Sequence, residues 1–296
     1  MLLSFSPANY MENTENGQDK QQEVIISPCF CSTEADLLLY SSDGVEFRVF
    51  SRILIEASPI FRDMTSLPKS LETPSPVPRA DLEEDQETLE LLLRFLYPMP
   101  DPAVSTFDIL KRLMKAADKY IIEGVMHSLK RILVSPTFME REPLRAYAVA
   151  CMYGHEAEAK IASRHCLKID ILLQAEAYEE LGMISGRDLF RLIKLHQTRG
   201  TEILSILHNS YPSACTGHGA TIGMPLWWTE FKARAKEELR ARPLTDTILQ
   251  PGFLAACVTH GVNGGCTQCP MNYLSAATQA RLVQIKGLID ALPDTV

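Results

Sequence analysis

The residues of this 296-residue chain whose types and spacing could do chemistry lie near its end: Cys215-Thr216-Gly217-His218 and Cys266-Thr267-Gln268-Cys269. Two residues between ligands let both side chains of a pair turn toward one ion, and such a mixed thiol and imidazole set suits tetrahedral zinc. Cys257-Val258-Thr259-His260 competes for the same role, and six candidates exceed one structural site without completing two. Gly264-Gly265 frees the backbone ahead of Cys266 to form a ligand knuckle, whereas Cys257 follows Phe253-Leu254-Ala255-Ala256, which reads as a packed helix. Cys215, His218, Cys266 and Cys269 are therefore the favoured set. Such an ion would be structural, because four protein ligands leave no position for an activated water. Neither favoured pair has an acidic neighbour to serve as general base, so a zinc enzyme is disfavoured and no catalytic residue is assigned. The competing reading is a set of free thiols in a reducing compartment, and the chain's eight cysteines are not dense enough to demand disulfides.

These pairs need helices to hold them. Trp228, Phe231, Ala235 and Leu239 recur at helical spacing after the first pair, so Trp228 is assigned to the core and Trp227 to an exposed contact. Leu282, Ile285, Ile289 and Leu292 mark a last helix that closes the chain against the tryptophan helix. Upstream the helical signal is continuous. Leu110, Leu113, Met114 and Ala117 form one stripe and Val125, Leu129, Ile132 and Leu133 the next, with Gly124 as the break. Pro143 starts another helix, Gly154 ends it, and a longer one carries Leu189 to Leu207 with a bend expected at Gly200. His155, His165 and His196 stand apart beside apolar positions and read as structural. Cys151 and Cys166 read as small core residues, and Cys29 and Cys31 as small residues ahead of a strand.

The first third has a different grammar. Asp36-Leu37-Leu38-Leu39-Tyr40 and Val45-Glu46-Phe47-Arg48-Val49-Phe50 are strand-forming runs joined by Ser41-Ser42-Asp43-Gly44, which supplies the positive-φ position of a tight hairpin. Val45, Phe47 and Val49 should share one face, with Glu46 and Arg48 on the other. A helix follows, then Ser58-Pro59 caps a second helix anchored by Ile60, Phe61 and Met64. Leu67 to Pro78 is proline-rich and reads as a solvated loop, Val77 to Leu82 as a short extended piece, and Leu89, Leu92, Leu93 and Leu96 as a helix that Tyr97-Pro98 stops.

The series DLLLYSSDGVEFRVFSRILIEASPIFRDM, VPRADLEEDQETLELLLRFLYP and LKRLMKAADKYIIEGVMHSLKRIL resembles a BTB/POZ domain in the form common among basidiomycete fungal proteins. The resemblance implies an α+β fold, a small mixed sheet flanked by helices, followed here by a mostly helical C-terminal region. It departs from the family's pattern at Phe50 and Ser51, where a histidine and a basic residue are usual, which weakens the case for a charged corepressor groove. The run from Trp227 to Pro243 resembles, more loosely, the tail of such fungal proteins, with a Cys/His pair before paired tryptophans and a C-x-x-C pair after the helix. That likeness is a second reason to favour Cys215, His218, Cys266 and Cys269.

The resemblance also implies function: a protein-interaction module that self-associates as a homodimer and acts as scaffold or adaptor. Ile53, Leu54, Ile55, Ile60, Phe61 and Met64 are the residues it assigns to the interface, with core as their alternative role. Burying a helical face too apolar to stay wet against its own copy gives a two-fold interface. Two other family roles are an adaptor for a cullin-type ubiquitin ligase and a transcriptional co-regulator that does not itself bind DNA. The ligase-binding element would be a hydrophobic-x-Glu motif, and the adjacent Leu71 and Glu72 have the wrong spacing for it.

Composition sets bounds. A net charge of −8 speaks against a broad nucleic-acid surface. No run reaches the roughly 18 to 20 apolar residues of a membrane span, and the first residues lack the form of a signal peptide, so the expectation is an intracellular protein, cytoplasmic or nuclear. The expected organisation is a disordered leader over 1–27, the BTB/POZ domain over 28–135, a helical extension over 136–210 and a helical unit with structural zinc over 211–296.

Overall fold

A computed structural model describes residues 25–66, 77–174, 178–218 and 223–296, without the side chain of His218. The chain divides into two compact units, 1–102 and 103–296.

The first unit is built on a four-stranded mixed sheet in the order β1-β3-β2-β4, formed by β1 (Ile25–Cys31), β2 (Leu37–Tyr40), β3 (Val45–Val49) and β4 (Arg79–Asp81). The expected hairpin is present: β2 and β3 run antiparallel with Leu39 opposite Phe47, and Gly44 holds φ +86° in the turn. β1 joins β3 in parallel, with an irregularity between Ile26 and Cys31, and β4 joins β2 in parallel. β1 was not foreseen. It begins inside the segment expected to be a leader and contains Cys29 and Cys31, both exposed; residues 1–24 of that segment lie outside the described residues.

The face carrying Leu39, Val45, Phe47 and Val49 is buried. Glu46 is buried on the opposite side because its carboxylate accepts from the Tyr40 hydroxyl and, at 2.7 Å, from Arg48 Nε. Burial alone would raise its pKa, but these two donors hold it below the usual carboxylate value.

Helix α1 (Ser51–Ala57) is tied to the strand end through Asp36, whose carboxylate accepts from the Ser51 N–H at 2.6 Å and hydroxyl at 2.7 Å. Helix α2 (Pro59–Ser66) begins at the foreseen cap, with the Ser58 hydroxyl accepting from the Phe61 N–H. Asp85 caps α3 (Gln86–Leu96), whose Leu89, Leu92 and Leu93 are fully buried. The proline-rich loop lies outside the described residues over 67–76.

The second unit is helical among its described residues. It runs through α4 (Phe107–Lys119), α5 (Glu123–Leu133), α6 (Pro136–Met139), α7 (Pro143–Met152), α8 (Glu156–Cys166) and α9 (Ile171–Gln174). A 3-10 turn at Glu179–Gly182 precedes α10 (Gly186–Asn209), α11 (Leu226–Ala241), α12 (Thr245–Ile248), α13 (Pro251–Asn263), α14 (Cys269–Leu274) and α15 (Ala276–Asp290).

The break between α4 and α5 falls at Tyr120–Ile122, where Ile121 takes φ +52°; Gly124 lies inside α5. Gly200 marks a close helix approach within unbroken α10, since a Cβ there would stand 3.1 Å from the Leu239 carbonyl oxygen of α11. α15 packs on α10, α12 and α14. Leu282, Ile285 and Ile289 of α15 share one buried cluster with Trp227, Trp228, Phe231 and Leu239 of the tryptophan helix, the partner the sequence leads one to expect.

Charge pairs hold the first helices of this unit. Glu180 is buried and accepts from Lys111 Nζ at 2.8 Å and Arg145 Nε at 3.0 Å, while Arg145 also reaches Asp108 at 2.6 Å. His196 is buried and bonded through Nε2 to the Cys166 carbonyl at 3.0 Å, consistent with a structural role.

Candidate metal centre

Three thiols meet inside the second unit. The Sγ atoms of Cys215, Cys266 and Cys269 all lie within 4.8 Å of one another, and all three residues are buried. The separation of Cys215 and Cys266 is 3.7 Å, far beyond a disulfide bond. Two thiolates each about 2.3 Å from a tetrahedral zinc would stand roughly 3.8 Å apart, so this spacing fits shared coordination.

The backbone shapes the cluster. Cys215 forms an isolated antiparallel bridge with Gly223, which closes the loop carrying Thr216, Gly217 and His218. The Gly217 N–H donates to Cys215 Sγ, and the N–H groups of Gln268 and Cys269 donate to Cys266 Sγ. Each pair thus turns amide hydrogens toward its leading sulfur, which favours the thiolate that a metal needs. Burial, abetted by the neighbouring thiols, pushes the Cys215 thiol up to about 11. Burial also acts upward on Cys266, but the Cys269 thiol, the two amides and the Cys215 thiol outweigh it and bring its pKa below the ordinary value.

Glycines allow the approach. A Cβ on Gly217 would lie 2.7 Å from Cys266 Sγ, so the first loop reaches the second pair only because that position has no side chain. Gly261 of α13 is similarly confined, with a hypothetical Cβ 3.2 Å from both Cys269 Sγ and the Trp227 backbone nitrogen. Gly265 takes φ +90° and redirects the chain from the end of α13 into Cys266, as expected for Gly264-Gly265.

Sequence reasoning missed the clasp behind the thiols. Asn272 of α14 is buried; its Oδ1 accepts from Trp227 Nε1 at 3.0 Å, and its Nδ2 donates to the carbonyls of Ser213 at 2.8 Å and Ala214 at 3.1 Å. One amide therefore joins the segment before Cys215, the tryptophan helix and the helix beginning at Cys269. The only sequence signal was its spacing of three residues after Cys269, which puts both on one helical face.

Trp227 is fully buried, not the exposed contact expected, because Asn272 binds its nitrogen and the Tyr273 ring packs edge-on at 5.4 Å. Trp228 is also fully buried, stacked on Phe231 at 4.9 Å.

The competing pair is not part of this cluster. Cys257 is buried on α13, where desolvation pushes its pKa up to about 11, and exposed His260 stands 3.6 Å from Glu230. The side chain of His218 lies outside the described residues, and so does the Leu71-Glu72 pair weighed for ligase binding. Of the six residues assigned to an interface, Leu54 and Phe61 are enclosed within the first unit and serve as core. Ile53, Ile55, Ile60 and Met64 remain half-buried on α1 and α2.

The two regions thus define different things: a small mixed sheet with helices, and a helical unit with a buried thiol cluster that could hold a metal ion. Residues 26–137 match the model of the BTB/POZ domain, a family of protein-interaction domains, so the chain carries an N-terminal BTB/POZ domain. That match runs past the boundary of the first compact unit at Pro102. No curated protein is similar enough to the chain to match it. Among the described residues no helix is long and apolar enough to cross a membrane.

Proposed function

We propose that this chain is a non-enzymatic scaffold or adaptor, akin to the basidiomycete BTB/POZ proteins, which pairs with a second copy of itself through α1 and α2. The observation that carries the reading is the division of labour in those helices: Leu54 and Phe61 anchor them inside, while Ile53, Ile55, Ile60 and Met64 keep apolar surface part-exposed. A two-fold contact between such faces removes that surface from water without disturbing the anchors. Sedimentation equilibrium of the full chain tests this. Two copies per particle are expected at tens of micromolar, and I53D/I60D should yield single copies with an unchanged melting temperature. A wild-type chain that sediments as one copy at that concentration contradicts the proposal.

The same reading gives the thiol cluster a structural zinc ion held by Cys215, Cys266 and Cys269, with His218 as fourth ligand. It is supported by the 3.7 Å sulfur separation and by the amides directed at the leading sulfurs. Zinc would join the loop after α10 to the start of α14, around the Asn272 clasp, and would leave no open position for catalysis. Elemental analysis of the purified full chain should find one zinc per copy; less than about half an equivalent removes the metal from the account.

A further inference from the structure

Two adjoining cavities line the seam between α10 and α11, of about 550 Å³ and 570 Å³, and both are bounded by Thr201 and Leu204. They form one groove along α10 from Ile193 to His208, which at 1.5 Å per residue is roughly 22 Å, or about four helical turns. Its apolar wall comes from half-buried Ile193 and Leu204, and its floor from buried Leu239 and Gly200, where α10 and α11 meet, with the small Ala233 of α11 along the half near His208.

The rim is basic. Lys232, Lys236 and Arg240 recur every fourth residue, which places them on one face of α11 along the groove's length. Arg240 pairs with Glu237 at 3.0 Å, both well exposed, but Lys232 and Lys236 have no ion-pair partner among the described residues. Asp170 is the acid at the opposite end, beside Ile171 and Leu172 of α9. Unpaired lysines beside an apolar groove, on a chain whose net charge is −8, mark a local charge excess that an acidic partner would neutralise.

We propose that the α10–α11 groove binds an amphipathic helix of a partner protein, about four turns long, with apolar residues facing Ile193 and Leu204 and acidic residues facing Lys232 and Lys236. Dimensions and chemistry both point there: an amphipathic helix fits its apolar face into such a groove at i, i+3/i+4, i+7 positions, and its acidic flank meets the lysine rim. The acidic positions concentrate in the half near His208, away from Asp170.

The test uses the full chain and two labelled 16-residue peptides with the same leucine face, one with glutamate and one with lysine at the flanking positions. Fluorescence anisotropy should show the glutamate peptide binding at least about tenfold tighter, with affinity falling as salt rises. K232E/K236E should lose that peptide by about tenfold or more and gain the lysine peptide, while melting and sedimenting as wild type. Equal affinity for both peptides, no binding of either, or an unchanged preference in K232E/K236E overturns the proposal. So would loss of a dimer in that variant, which would make the occupant a second copy. So would binding of duplex nucleic acid at these lysines without the peptide.

Discussion

In the first unit, Leu39, Phe47, Val49, Leu54, Leu89, Leu92 and Leu93 are enclosed by one another's side chains, and its two cysteines lie at the surface. Around Trp227 the interior instead includes the three clustered thiols, the separate thiol of Cys257 and the Asn272 amide, set among Trp228, Phe231, Ile285 and Ile289. The first arrangement tolerates any side chain of suitable shape, because apolar burial has no directional partner. The second is specific: each clustered thiol and each arm of Asn272 needs a particular neighbour, and losing one leaves others buried without partners. Thus a sheet domain can be ordered by area, whereas a short loop and a short helix require a directional staple.

The contrast is sharpest under metal removal. Cys266→Ser should release zinc and destabilise the second unit by about 3 kcal/mol or more, lowering its melting temperature by about 6–12 °C, as calorimetry can show. Cys257→Ala should leave zinc content unchanged, since Cys257 stands outside the cluster. Leu54→Ala in the first unit should cost about 2–5 kcal/mol by opening a cavity, with no change in zinc content; a loss of metal there would break the distinction between the two regions.

Asn272→Ala comes next. It strands the Trp227 N–H and the carbonyls of Ser213 and Ala214, and should cost about 2–3 kcal/mol in urea unfolding while leaving some zinc affinity.

The smallest effect is acid sensitivity. Burial lowers the His196 pKa to about 4, below the roughly 6.5 of an unfolded histidine, despite its bond to the Cys166 carbonyl. The unfolded chain therefore takes up the proton first: the His196 contribution is fully present above about pH 6.5 and is lost as pH falls toward 4. Between pH 7 and pH 5 wild type should lose on the order of 2 kcal/mol from this group, and His196→Gln should show a flatter profile over that interval.

Much of the first unit was legible because period-two runs, a Gly44 turn and a Ser58-Pro59 cap are local signals. β1 was not, since Pro28 and the irregularity after Ile26 break its alternation and its pairing with β3 depends on residues far along the chain. The same limit explains Trp227. A helical stripe assigns one face to the core, but α14 covers a second face, and that contact is between residues 227 and 272. Cys215, Cys266 and Cys269 were readable from pair spacing and the Gly264-Gly265 turn. Asn272 was not, because a buried amide announces itself only through the groups it satisfies.

A native mass spectrum of the full chain tests the central claim most directly, since it reads copy number and bound metal together. The account predicts a particle of two chains carrying two zinc ions. A single chain without metal would contradict both the self-pairing of the BTB/POZ domain and the stapled thiol cluster.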